Sequence, residues 1–319
     1  MSNTLSDKSL KILFWNARSI NKRKNELVSI LEGIDIFVCV ESWLNEKDET
    51  IFHSQFVQYK KNREYAQGGG ILMLIRKNLA FCEITNIPSP DVSVELCGIR
   101  ITNTQPSLNI FACYRSPSGR LLSQADWDLI AECTNTTIPS ILLGDFNAHN
   151  TEWKCYNTDT NDDRLSNSVN KYDLFLHNNL TTTRIGYNNE KNSNIDLLFS
   201  TMNIAQLIEV NSANETFGSD HFPLKCQIKI EKEIYKKKTF KIRTLRTNWE
   251  SFRSRLDAQY EEFLFGEYES LTTSEKYTFL TDKIINAVQE NTPKKKKSTK
   301  KNITILPLGG TKNVIRLKD

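Results

Sequence analysis

The chain of 319 residues is long enough for one large domain or two smaller ones. Hydrophobic residues make up 39% of it, which is enough for a core, and 12 glycines and 8 prolines argue against a collagen-like or low-complexity chain. The formal net charge is +4. No apolar run approaches the roughly 18 residues of a membrane span, and the first residues lack the layout of a signal peptide. Seven scattered cysteines without a CxxC pair indicate reduced thiols of an intracellular protein, nuclear or cytoplasmic.

The first 230 residues alternate strand-like and helix-like segments. Apolar runs predict strands, in chain order, at LKILFWNAR, DIFVCVES, GGGILMLIRKNL, SVELCGIRIT, SLNIFACYRSP, PSILLGDFN, NIDLLFS, AQLIEVN and DHFPLKCQIKI. Helical spacing predicts helices at NKRKNELVSILEG, at QADWDLIAECT and, after a polar loop over 150–163, at LSNSVNKYDLFLHNN. Many strands with few helices favour an α/β sandwich of packed sheets.

The pattern changes after residue 230. Residues 231–319 hold 20 Lys and Arg against 12 Asp and Glu, a balance of +8, so the first 230 residues carry −4. Two amphipathic helices are expected there, with apolar faces that carry Phe252, Leu256, Tyr260 and Phe263 in one and Leu280, Ile284 and Val288 in the other. A Lys run at 294–297 follows and is a nucleic-acid tether, an import signal or a plain solvated linker. We therefore predict a domain over 1–231 and a basic, partly helical connector over 232–319.

Polar residues stand at the ends of several predicted strands. In ILLGDFNAHN, Asp145 and Asn147 lie two apart, so an extended backbone would direct both side chains the same way. Gly144 would let a substrate or another chain approach the backbone closely. The other such residues are Asn16, Glu41, Tyr114, Arg115, Asp196, Asp220 and His221.

Each of these residues alone is more often a turn former or a core side chain, but together they suit a metal and a phosphate. Carboxylate oxygens hold a hard cation such as Mg²⁺, and a histidine paired with a carboxylate can be kept as an imidazolium. The spacing is too irregular for zinc, and four histidines are too few for a multi-His metal site.

The motifs WNAR, ES, YRSP, GDFNAH, NIDLLF and GSDHFPL occur in an order that resembles the endonuclease/exonuclease/phosphatase superfamily, which includes DNase I and the abasic-site endonucleases. The resemblance covers residues 10–230. GGGILMLIRKNL, the His after GDFNA and the Trp of NTEWK are similar to the endonuclease domain of non-LTR retrotransposon polyproteins. The family's fold is then implied, a four-layered α/β sandwich of two packed mixed β-sheets flanked by helices, here with a mostly helical C-terminal extension. Residues 232–319 resemble the connector before a reverse transcriptase and suggest a truncated or domesticated element.

The resemblance implies a role for each matched residue. Glu41 binds the divalent cation, helped by Asn16, which also steers Asp145. Asp145 deprotonates the attacking water, and Asn147 fixes that water and a phosphoryl oxygen. The implied cation is Mg²⁺, with Mn²⁺ as the alternative.

The remaining roles concern the phosphate and the DNA strand. Tyr114 contacts the phosphate or the leaving oxygen, Asp196 keeps His221 charged, and Asp220 supports the metal site. Expected substrate contacts are Arg18, Arg115 and His149, although His149 is as readily a loop hydrogen-bond partner. Lys and Arg at 18, 22, 23, 24, 60, 61 and 63 either track a phosphate backbone or form a solvated face.

The implied activity is nicking of one DNA strand to leave a 3′-hydroxyl and a 5′-phosphate, as retrotransposition needs for priming. The partner is DNA, and the nuclease domain is expected to be a monomer without membrane contact. Two alternatives remain open: a phosphatase of the same fold acting on inositol phosphates or lipids, and a decayed nucleic-acid-binding remnant. Specificity for abasic sites is a weaker variant of the leading hypothesis, the DNA endonuclease.

Overall fold

The computed structural model describes residues 9–45, 48, 55–63, 68–158, 160–187, 190–232, 246–264 and 273–293. The chain divides into two compact units, Met1–Lys236 and Lys237–Asp319. Among the described residues, no helix combines the length and apolar character needed to cross a membrane.

The described residues of the first unit form short strands and three α-helices. The strands are β1 (Leu10–Asn16), β2 (Ile36–Val40), β3 (Phe56–Lys61), β4 (Ile71–Arg76), β5 (Phe81–Glu83), β6 (Val94–Ile101), β7 (Thr104–Gln105), β8 (Leu108–Arg115), β9 (Ser140–Asp145), β10 (Leu174–Leu176), β11 (Asp196–Thr201), β12 (Ile208–Ser212), β13 (Leu224–Ile228) and β14 (Glu231–Lys232). The helices are α1 (Lys24–Ile30), α2 (Gln124–Glu132) and α3 (Thr160–Lys171).

Two six-stranded sheets carry the fold. Their orders are β12-β13-β1-β2-β4-β3 and β10-β11-β9-β8-β6-β5, and β7 pairs with β14 in a small third sheet. In the first sheet β1 and β2 run parallel, and in the second β8 and β9 do. The other pairs are antiparallel, so both sheets are mixed.

The main core lies between the two sheets. Side chains such as Phe14 and Val38 of the first sheet pack with Ile110 and Leu143 of the second. Because strand side chains alternate between faces, the opposite face of each sheet needs its own cover. Helix α1 covers the first sheet through a cluster that includes Leu27, and α2 and α3 cover the second. The expected four-layered α/β sandwich of two packed mixed sheets is confirmed.

The helix predicted at LSNSVNKYDLFLHNN is partly wrong. Helix α3 begins earlier, at Thr160, and carries Asp162 and Asp163 in its first turn, where carboxylates interact favourably with the helix N-terminus. It ends at Lys171, and Asp173 adopts a left-handed backbone with φ of 50° that a helix does not tolerate. The chain then forms β10, which pairs with β11.

The second unit contributes two helices, α4 (Trp249–Leu264) and α5 (Thr273–Glu290). They meet at their ends, where Asn248 N donates to Asn291 O at 2.9 Å. On the predicted face of α5, Val288 is buried whereas Leu280 and Ile284 are exposed. The side chains of Tyr260 and Phe263 and the Lys run at 294–297 lie outside the described residues.

The seven cysteines are all free thiols, and five of them are buried, at 39, 97, 113, 155 and 226. The expected reduced core thiols are therefore present. Cys82 is exposed on the short strand β5, and Cys133 is half-buried.

Candidate active site

The polar residues converge because of how the central strands end. Asn16 closes β1 and Glu41 directly follows β2, and these strands are parallel neighbours. Asp145 closes β9 and stands opposite Asp196, the first residue of β11. Carboxyl ends of parallel strands meet at one edge of a sheet, so each sheet brings its polar residues to the same end of the sandwich.

Asn16 joins residues from both sheets. Its Nδ2 donates to Glu41 Oε1 at 2.9 Å and to Asp145 Oδ2 at 2.8 Å. Both Asn16 and Asp145 are fully buried. Burial raises the pKa of the Asp145 carboxyl, and the neighbouring Asp196 carboxylate raises it further. Asp145 is thereby a stronger base than an exposed aspartate.

Asp196 and His221 form a buried ion pair. His221 Nδ1 lies 2.7 Å from Asp196 Oδ2, and both side chains are almost inaccessible. Burial opposes the charge on His221, but the Asp196 carboxylate outweighs it and raises the pKa of His221 to about 9. His221 is therefore an imidazolium at neutral pH.

The surrounding backbone fixes this pair. Thr183 Oγ1 accepts from the backbone N–H groups of Ile195 and Asp196, at 3.0 Å each. Trp15 Nε1 donates to the His221 carbonyl at 3.0 Å. The neighbours of the pair thus come from β1 and from the segment before β11.

Tyr114 lies beside Asp145 and close to Glu41. It is buried near the end of β8, opposite Glu95 on β6 and next to Asp145 on β9. Burial raises the pKa of the Tyr114 phenol, and the Glu41 and Asp145 carboxylates raise it further. Tyr114 consequently stays protonated and keeps a hydrogen to donate.

Glu95 and Arg63 also belong to the site. Glu95 was not predicted from the sequence, and Arg63 was named there only among the basic residues that track a phosphate backbone or form a solvated face. Glu95 is buried in β6 and accepts from Arg63 Nε at 2.5 Å and from Gly70 N at 2.6 Å. The Arg63 guanidinium lies 5.4 Å from the centre of the Tyr114 ring. A carboxylate inside the apolar run VELCGIRI was the available signal, since a buried charge needs a partner.

Asn147 departs from the expected geometry. Its backbone has φ of 44°, so the segment is not extended there, and the prediction that Asp145 and Asn147 project in parallel from one extended strand is wrong. Instead, Asn147 N donates to Asp145 Oδ1 at 3.0 Å, and its Nδ2 donates to the Arg115 carbonyl at 2.8 Å. The turn still brings Asn147 against Asp145. Gly144 is required by the approach of β8, because a Cβ there would collide with the Cys113 carbonyl.

Asp220 is paired with arginine. Its Oδ2 lies 2.9 Å from Arg18 Nη1 and 3.5 Å from Arg184 Nε, and its Oδ1 is 4.0 Å from His221 Nε2. The Asp220 side chain is 3% exposed. The sequence assigned Arg18 to the substrate and Asp220 to the metal, and the structure brings the two together.

Arg115 and His149 occupy the loop side of the site. Arg115 is buried, and its guanidinium donates to the carbonyls of Asn147 at 3.2 Å and Arg120 at 3.4 Å. It braces the turn that carries Asn147. His149 is half-buried two residues further on.

Basic and aromatic side chains form a cavity beside the site. The cavity measures about 240 Å³ and is lined by Arg18, Lys22, Arg23, Trp43, Tyr187, Gly218, Ser219 and Asp220. Trp43 is 38% exposed, its indole Nε1 donates to Glu41 Oε2 at 3.2 Å, and Lys22 Nζ lies 5.5 Å from its ring centre. By contrast, Lys61 is tied to the Leu96 carbonyl at 3.0 Å. Of the predicted basic residues, Arg18, Lys22 and Arg23 therefore adjoin the site.

The donor set suits a hard divalent cation. Asp145, Asp196 and His221 offer ligand atoms within 4.8 Å of one another, but His221 Nδ1 is already paired with Asp196. Glu41 and Asp145 share the Asn16 amide and offer oxygen atoms, the ligands that Mg²⁺ prefers. Glu41 is also the more accessible of the two carboxylates.

Residues 108–225 match the family described as "Endonuclease-reverse transcriptase". No curated protein sequence matches the chain. Among solved structures, the chain resembles the endonuclease domain of TRAS1, a telomere-specific non-LTR retrotransposon, with 15% identity and a TM-score of 0.57 over 69% of this chain and 98% of that one.

Two further structures are similar. They are the catalytic domain of Xenopus laevis APE2, with 15% identity and a TM-score of 0.55 over 72% of this chain and 94% of that one, and an AP endonuclease from Archaeoglobus fulgidus, with 15% identity and a TM-score of 0.52 over 68% and 98%. At such identities the likeness establishes the fold. With the family match over residues 108–225, it confirms the predicted resemblance to the endonuclease/exonuclease/phosphatase superfamily.

Proposed function

We propose that the chain is a Mg²⁺-dependent DNA endonuclease that hydrolyses one phosphodiester bond and leaves a 3′-hydroxyl and a 5′-phosphate. The observation that carries the proposal is the buried Asp145 carboxylate, which accepts a hydrogen bond from the same Asn16 amide that donates to Glu41 and lies close to the Asp196–His221 pair. In this proposal a base, a cation site and a positive charge lie close together.

Asp145 serves as the base in this proposal. Burial and the nearby Asp196 raise its pKa towards neutrality, which is where a general base acts most effectively. The Asn16 amide and the Asn147 backbone N–H each engage a different oxygen of this carboxylate. The carboxylate is thus fixed in orientation before it takes a proton from water.

His221 stabilises the charge that develops on the phosphate. Because its Nδ1 is engaged by Asp196, its Nε2–H is the group left to donate to a phosphoryl oxygen. A preformed positive charge in a water-poor site stabilises a transition state more than it would in water. Tyr114, kept protonated beside Glu41 and Asp145, is the proposed donor to a phosphate or leaving oxygen.

Glu41, with Asn16 beside it, would hold the divalent cation, which when bound neutralises phosphate charge. The cavity at Trp43 offers Lys22 and Arg23 to a phosphate backbone and an aromatic face to a base. A row of basic side chains together with an exposed aromatic face favours a nucleic acid over a small phosphate ester. The similarity in fold to the endonuclease domain of TRAS1, a non-LTR retrotransposon, and the match to the family described as "Endonuclease-reverse transcriptase" support an endonuclease. In this proposal its substrate is DNA and its purpose is the priming of reverse transcription.

The test is nicking of supercoiled plasmid by the full chain with Mg²⁺, in parallel with EDTA and with Asp145→Asn. Nicked circles that depend on Mg²⁺ and fall by roughly 10²–10⁴ in the variant are expected, the usual contribution of a general base. Asp128→Asn is the matched control, because this aspartate pairs with Lys171 on the surface at 2.6 Å. Phosphate release from inositol phosphates without nicking would instead identify a phosphatase.

A further inference from the structure

Asp220 is the one carboxylate among the predicted metal ligands that is held by guanidinium groups. Its Oδ2 lies 2.9 Å from Arg18 Nη1 and 3.5 Å from Arg184 Nε. Arg184 also pairs with a second carboxylate, since its Nη2 lies 3.2 Å from Glu190 Oε2. Arg18 is therefore the nearer and more dedicated partner of Asp220.

The backbone directs Arg18 to this place. Arg18 follows β1 with a left-handed φ of 43°, and its N–H donates to Asn16 Oδ1 at 3.1 Å. Ser219 in turn donates from Oγ to the Asn16 carbonyl at 2.8 Å, which fixes the Asp220 segment against the same residue. Asn16 thus orients the proposed cation site through its side-chain nitrogen and the Arg18–Asp220 pair through its two oxygens.

One oxygen of Asp220, Oδ1, accepts no hydrogen bond from the described residues. It is buried and lies 4.0 Å from His221 Nε2. A buried carboxylate oxygen of this kind is a natural metal ligand. A divalent ion bound to Asp220 would, however, share the carboxylate with the Arg18 guanidinium. The two positive charges on one carboxylate would repel each other.

We infer that Arg18 is a built-in cation that neutralises Asp220, so that the site binds one divalent cation, at Glu41, and not a second at Asp220. The inference rests on the proposed function for the identity of the first site. The Arg18 side chain is 49% exposed although Asp220 is buried. The same guanidinium can therefore also face the phosphate of the substrate.

The number of Mn²⁺ ions bound by the full chain tests the inference without any need for activity. It is measured as the loss of the free-ion signal in electron paramagnetic resonance. The wild-type chain is expected to bind one ion, and Glu41→Gln to bind none. Arg18→Ala frees Asp220 and is expected to bind two. Adding Asp220→Asn to Arg18→Ala should return the count to one.

Two variants control the result. Arg23→Ala removes a guanidinium from the same cavity, but one that contacts the Gly218 carbonyl rather than a carboxylate, and it should leave the count at one. In Arg18→Ala, Arg184 could move onto the freed Asp220 carboxylate. The double variant Arg18→Ala/Arg184→Gln prevents this and should bind two ions. Circular dichroism verifies that each variant is folded.

Two ions in the wild type, or one in both Arg18 variants, would overturn the inference. No ion in the wild type would reject it together with the metal dependence of the proposed function. One ion in the wild type and two in Arg18→Ala, with no plasmid nicking, would sustain the inference about Arg18 while rejecting the endonuclease proposal.

Discussion

Asn16 and Asp145 lie on different sheets and are joined by a single hydrogen bond of 2.8 Å, from Asn16 Nδ2 to Asp145 Oδ2. The same nitrogen donates its other hydrogen to Glu41 at 2.9 Å. An amide nitrogen has two hydrogens, so both are used. The relative position of the base and the proposed cation ligand thus depends on one side chain.

Replacing Asn16 with alanine should therefore impair the site while the fold survives. We expect plasmid nicking to fall by about 10–100-fold, the usual effect of removing a group that orients metal ligands. The Mn²⁺ affinity of the Glu41 site should weaken in parallel. Asn109→Ala is the matched control, because Asn109 is also fully buried but bonds Ser140 and Thr136, away from the site. Equal losses of nicking in the Asn16→Ala and Asn109→Ala variants would show that Asn16 has only a structural role.

The Asp196–His221 pair should set the alkaline limit of activity. His221 is charged below its pKa of about 9 and neutral above it, so nicking should decline as pH rises through about 9. Asp196→Asn removes the charge that raises this pKa, and the decline should move to lower pH, towards the usual histidine value near 6.5. The pH profiles of nicking by the two proteins give the measurement. An unshifted alkaline limb in Asp196→Asn would mean that His221 is not the titrating group.

The ends of the buried strands could be predicted from the sequence because each apolar run stops at a polar residue. FWN and FVCVE place Asn16 and Glu41 at the ends of β1 and β2, and the parallel pairing of these strands then brings them together. The burial of Asp196 inside NIDLLF similarly indicated a partner, which is His221. The positions of these strand ends and the need for a partner at Asp196 depend on strand periodicity and burial, which can be predicted from the local sequence.

Other features depend on backbone conformation and on distant contacts, which local sequence does not record. The left-handed turn at Asn147 follows from its bonds to Asp145 and Arg115, not from a turn motif. The Arg18–Asp220 pair joins the two ends of the domain, 202 residues apart. The edge strands β3 and β5 are short or half-exposed and lack a continuous apolar run.

Gly144 should tolerate no larger side chain. A Cβ at this position would meet the backbone carbonyl of Cys113 on the neighbouring strand β8, which cannot move aside as a flexible side chain would. Gly144→Ala should therefore destabilise the fold by about 1–3 kcal/mol, the typical cost of overpacking, and displace the adjacent Asp145. Thermal unfolding and plasmid nicking measure the two effects.

Gly33→Ala is the control for that substitution. Gly33 has φ of 71°, and no atom of the described residues would lie within 4 Å of an alanine Cβ there, so only backbone strain opposes the change. We expect a cost of about 1–2 kcal/mol and unaltered nicking by the folded protein. Full activity in Gly144→Ala would show that the β8–β9 spacing does not position Asp145.

His177 should make the fold sensitive to mild acid. Burial lowers its pKa to about 4, and its Nε2 lies 2.8 Å from Ser200 Oγ. An unfolded histidine titrates near 6.5. As pH falls from about 6.5 to about 4, the unfolded chain takes up a proton that the folded chain does not, so the free energy of unfolding decreases.

His177→Gln keeps a side chain that can bond Ser200 but removes the titration. The melting temperature of the wild type should therefore drop more between pH 7.5 and pH 5 than that of the variant, whatever the difference between the two at pH 7.5. Carboxylates whose pKa is lowered in the fold, such as Asp128, contribute equally to both proteins and cancel in the comparison. Parallel melting curves with the same drop would show that His177 is protonated as easily in the folded chain as in the unfolded one.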